Sequence, residues 1–79
     1  MNSMCIPLNA IGTGKIAEVV NIHGGEMMCK RLMEMGVNKG ALIQVLKNDA
    51  GQLIIGLGKT RFVLGRGMAQ KVLVVEVEK

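Results

Sequence analysis

The groups in this sequence best suited to metal chemistry are two thiols and one imidazole, Cys5, His23 and Cys29. Thiolate sulfur and imidazole nitrogen are good ligands for Zn(II) and for Fe(II). Met27, Met28, Met33, Met35 and Met68 add soft thioethers. A sensor or carrier built on Cys5, His23 and Cys29, holding Fe(II) or Zn(II), is therefore one reading. The spacing argues against it, because it matches no CxxC-type pattern. Met28 and Met35 also share a helical face, where methionine is ordinary core filler. The two cysteines are expected as free thiols in a reducing compartment.

Catalytic groups are scarcer still. His23 is the single histidine and Ser3 the single serine, so no Ser/His/Asp set can be assembled. The segment Gly56-Leu57-Gly58-Lys59-Thr60 ends like a phosphate-binding loop but lacks the first glycine at the required distance. It reads as a hairpin turn. These absences point to a protein that is not an enzyme and that acts by binding.

The charge of +4 suits an acidic partner, but the ten basic residues are scattered along the chain. Phe62 is the only aromatic residue, whereas nucleic-acid platforms stack bases on several. No nucleic-acid role is expected. The longest apolar runs, such as Leu53–Leu57 and Val72–Val75, are far shorter than the ~20 residues of a spanning helix. The first residues lack the basic and apolar regions of a signal peptide, so the chain is expected not to span a membrane and to lie in the cytoplasm.

The elements that must position these groups follow from period and punctuation. Residues 1–6 read as a flexible start and residues 7–79 as one domain, since 79 residues allow one core. Pro7 is expected to open a short helical turn through Ala10, with Leu8 and Ile11 apolar. Lys15–Ile22 alternates as a strand, with a bulge near Val20-Asn21. Met28, Leu32 and Met35 then recur at helical spacing, which predicts a helix over Glu26–Met35, stopped by a left-handed Gly36. Strands are expected at Ala41–Lys47, Gln52–Leu57, Thr60–Leu64 and Lys71–Val77. A hairpin loop fills residues 48–51, and a single 3₁₀ turn fills Met68–Gln70. Five short strands and one helix after the first make a mainly β fold, an SH3-like, partly open barrel.

On this helix Lys30, Met33 and Glu34 fall away from the apolar stripe, and with Arg31 at its flank they form the candidate partner-binding surface. Met33 lies ~140° round from Met28. Exposed sheet edges in so small a barrel are also compatible with a homodimer.

The run Arg31-Leu32-Met33-Glu34-Met35-Gly36-Val37, followed by Gly40, resembles the RLxELGφxxG core of the FeoA family. Gly14, Val19, Ile22 and Gly25, then Ile43 and Val45, then Arg61–Leu64 and Ala69, Val72 and Val74 fit the same pattern in order. The similarity covers about residues 7 to 77. Met33 and Met35 stand where leucine is common. The resemblance implies an SH3-like barrel with an inserted helix. It also implies an accessory role beside the membrane ferrous iron permease that carries a cytosolic GTPase domain. Leu32, Met35, Gly36 and Gly40 are its helix-and-turn positions, and no catalytic or metal residue carries over. A regulatory interaction domain for some other protein is the remaining reading.

Overall fold

The computed structural model describes residues 4–49 and 52–77. Among these residues six antiparallel strands form one sheet in the order β1-β6-β2-β3-β4-β5, with β1 and β5 at its two open edges. In chain order they are β1 (Ile6–Pro7), β2 (Ile16–Ile22), β3 (Leu42–Asn48), β4 (Gln52–Leu57), β5 (Thr60–Gly65) and β6 (Val72–Val77). The fold is mainly β and SH3-like, as the residues imply, with one strand more than the five expected.

The additional strand is β1. Ile6 and Pro7 pair with Val74 and Leu73 on the edge of β6, a position where a proline without an N–H breaks no interior ladder. Two residues show no period, so the alternation rule could not detect them. Pro7 then serves as N-cap of the 3₁₀ turn Leu8–Ala10, instead of as its first residue. Ile6, placed in the flexible start from sequence, belongs to β1; residues 1–3 of that start lie outside the described residues.

β2 alternates as read, with Ala17 and Val19 buried. Its register on β6 shifts between Val19 and Asn21, where the bulge was expected. A second shift, between Val45 and Lys47 on β3, had no signal in the alternation. The two bulges bend the sheet around its core.

α1 spans Glu26–Glu34, with Met35 as C-cap. Leu32 is buried, while Met28 and Met35 are half-buried against the core. Gly36 has φ +96° and terminates the helix. The Gly36 N–H donates to the Met33 carbonyl at 3.0 Å and the Val37 N–H to the Leu32 carbonyl at 2.9 Å. This is the paired bonding of a Schellman end, with Leu32 and Val37 both buried in the core.

The remaining boundaries differ by a residue or so. Asn48 ends β3 and does not loop out: its Nδ2 donates to the carbonyls of Asn9 at 3.0 Å and Ile11 at 2.8 Å. This ties the 3₁₀ turn to the sheet across 37 residues of sequence. The expected turn at Met68–Gln70 is a four-residue helix, α2 (Arg66–Ala69), with Ala69 buried. The core lies between the inner sheet face, carrying residues such as Val19, Ile43, Ile55 and Val74, and a cover of Leu8, Ile11, Leu32 and Val37.

Candidate functional site

Helix α1 stands as a ridge between two grooves. Its buried anchor, Leu32, sets the rotation. At 100° per residue, Arg31 and Met33 fall to either side of that anchor, while Lys30 and Glu34 fall ~160° away. Met27 is 86% exposed and Met33 is 58% exposed.

The first groove, of about 560 Å³, is lined by Met27, Met28, Lys30, Arg31 and Glu34 of α1 and by Met68 of α2 on the far wall. The second, of about 500 Å³, is lined by Cys29 and Met33 of α1 with Asn21, Ile22, Asn38 and Lys39. The four residues that the sequence grouped as one surface are therefore divided. Lys30, Arg31 and Glu34 flank the first groove, and Met33 flanks the second. Thioethers with cationic rims offer adaptable apolar contact together with attraction for carboxylates. Sequence reasoning missed the place of Met68, because a four-residue helix after Gly65 shows no period, and missed Ile22, Asn38 and Lys39 because they come from two segments on either side of α1.

The metal reading fares differently. Among the described residues, no three or more His, Cys, Asp or Glu side chains gather where they could hold a metal ion. The sheet register supplies the reason. Cys5, one residue before the Ile6–Val74 pair, is level with Val75. His23 follows the Ile22–Val72 pair and its N–H donates to the Lys71 carbonyl. Cys5 and His23 thus lie four residues apart along β6, ~13 Å, and on opposite sides of it. Cys29 is at the His23 end, on α1, with its Sγ 3.9 Å from the Gly24 carbonyl.

Among the described residues no polar or charged side chain is buried. The exposed side chains of α1 offer charge and apolar contact.

The FeoA domain model matches residues 6–76. The chain belongs to the FeoA domain family. A relative from Methanocaldococcus jannaschii, named "Putative Fe(2+) transport protein A", is 33% identical over 72 residues, which are 91% of this chain and 88% of the relative. A crystal structure of an iron uptake regulatory protein (FeoA) shares 41% identity over 94% of this chain and all of that one, with a TM-score of 0.88. A manganese-dependent transcriptional repressor matches at TM-score 0.86 and 21% identity, with this chain covering 44% of it. That likeness is one of fold. In FeoA terms, the Arg31–Gly40 signature is the C-terminal half of α1 plus its Schellman stop.

Proposed function

We propose that this FeoA-domain chain is a cytoplasmic accessory protein of ferrous iron uptake. In this reading it binds the membrane iron(II) permease on its GTPase-bearing cytosolic part and modulates it, Fe(II) being the cargo of the partner. Family membership supports the transport role. The observation that carries the binding role is the α1 ridge: a helix fixed by buried Leu32, with Met27 and Met33 exposed and a groove on each flank. Among the described residues no helix is long and apolar enough to cross a membrane, which is in keeping with an accessory that docks on a membrane partner.

Lys30, Arg31 and Glu34 then contact the partner from the first groove and Met33 from the second. Co-purification with the permease's cytosolic domain, and GTP hydrolysis measured with and without the chain, tests the reading. Association lost on Lys30→Glu/Arg31→Glu supports it. No association and no change in hydrolysis would sink it.

A further inference from the structure

The hairpin that imitates a phosphate-binding loop in sequence forms a cationic depression of a different kind. Leu57 pairs with Thr60, so Gly58 and Lys59 make a two-residue turn. Gly58 sits first in it with φ +62°, as a type II′ hairpin requires. Beside the turn, one row of residues crosses three strands. Gln44 of β3 pairs with Gly56 of β4, and Gly56 pairs with Arg61 of β5. Because the central position has no side chain, Gln44 and Arg61 face each other across about two strand spacings, ~10 Å, over the Gly56 backbone with the Leu46 side chain beside it.

The result is a depression of about 220 Å³ lined by Gln44, Leu46, Gly56, Lys59, Thr60 and Arg61, together with Gly58. Among the described residues its side-chain polar groups are a guanidinium, an ammonium, a hydroxyl and a carboxamide, with no carboxylate. The ion pairs Lys15–Glu76 and Lys47–Asp49 engage other cations. Among the described residues neither Lys59 nor Arg61 is held by an acid. Two like charges two residues apart repel each other, and an anion between them turns that repulsion into attraction.

We infer that the depression over Gly56 is an anion site that takes a phosphate group, with Arg61 and Lys59 supplying charge and Thr60 and Gln44 supplying neutral donors. Guanidinium and ammonium groups beside neutral donors suit phosphate oxygens. The site is separate from α1. Its row meets β2 at Ile16, and α1 begins after Ile22, six residues or ~20 Å along that strand. The inference therefore stands or falls independently of permease binding. The phosphate has two sources, a soluble polyphosphate or a lipid headgroup.

The test is a titration of the ¹⁵N-labelled full chain with inorganic pyrophosphate, followed by amide shifts. A parallel arm uses flotation on phosphatidylcholine vesicles with and without phosphatidylglycerol. The expected shifts centre on Gly56, Gly58, Lys59, Thr60 and Arg61. Lys59→Ala/Arg61→Ala should weaken binding by about tenfold or more, since each charged hydrogen bond is worth roughly a decade. Lys47→Ala/Lys71→Ala removes the same net charge elsewhere and should stay within about twofold.

Gly56→Ala is a second probe. Its Cβ would approach Leu46 Cδ1 only to 3.4 Å, so the variant folds while its floor rises, and binding should weaken. Loss in the pyrophosphate arm identifies a soluble ligand; loss of phosphatidylglycerol-dependent flotation identifies a headgroup. Shifts spread over all the lysines, equal loss in the Lys47/Lys71 control, or no binding in either arm would overturn the inference.

Discussion

The Val37 N–H donates to the Leu32 carbonyl at 2.9 Å, and both side chains are fully buried. The hydrogen bond and the burial of both side chains fix where α1 ends, and so where its outer face points. The bond exists because Gly36 between them holds φ +96°.

Gly36→Ala should therefore destabilise the domain through backbone strain alone, because a Cβ at Gly36 meets nothing within 4 Å. The expected cost is about 1–2 kcal/mol, a drop in Tm of roughly 4–16 °C for a domain of this size. Thermal unfolding checks it. An unchanged Tm would mean that the turn does not require the left-handed conformation.

Leu32→Ala removes the anchor of α1. A buried leucine truncated to alanine costs about 2–5 kcal/mol, a large part of what a small domain has. Denaturant unfolding should show a strongly lowered midpoint, and partner binding should fall with the folded fraction. Met33→Ala is the contrast: at 58% exposed it should leave stability within about 0.5 kcal/mol.

Asn48→Ala breaks two bonds to the carbonyls of Asn9 and Ile11. The expected loss is about 1–3 kcal/mol, because the half-buried carbonyls keep no equivalent partner. Hydrogen exchange should quicken at the Ile11 amide, which bonds to the Leu8 carbonyl at 3.1 Å in the turn that Asn48 holds. Exchange confined to β3, with the turn unaffected, would contradict the role.

The division of α1 into two flanks separates variants that the sequence would lump together. Lys30→Glu/Arg31→Glu alters the first groove, and Met33→Glu alters the second. With the partner contacted from both grooves, each of these should weaken association with the GTPase-bearing domain by tenfold or more, about 1.4 kcal/mol. Calorimetric titration reads both. Equal small effects from the two would count against a groove-bound partner.

The elements with strong periods were legible before any coordinates. Ala17 and Val19 on β2, and Leu32 between Met28 and Met35 on α1, announce their faces because a strand repeats every two residues and a helix every 3.6. Gly36 announces the helix end because φ > 0 is a local demand. The bulge beside Val20 was legible as a break in alternation. The two-residue β1, the bulge at Leu46 and the four-residue α2 were not, since each is shorter than one period or hidden in an apolar run.

The sequence by itself determined most of the core, the C-terminal stop of the main helix and the family, because those are properties of neighbours along the chain. Only the tertiary structure decided what meets across the chain. It separated Cys5 from His23 along β6, carried Met68 to the wall of a groove beside Lys30 and Arg31, and tied Asn48 to Asn9 and Ile11. The physical reason is strand register. A sheet pairs residues by their positions in the ladder, so distant residues such as Gln44, Gly56 and Arg61 become neighbours, and no local period in the sequence encodes that pairing.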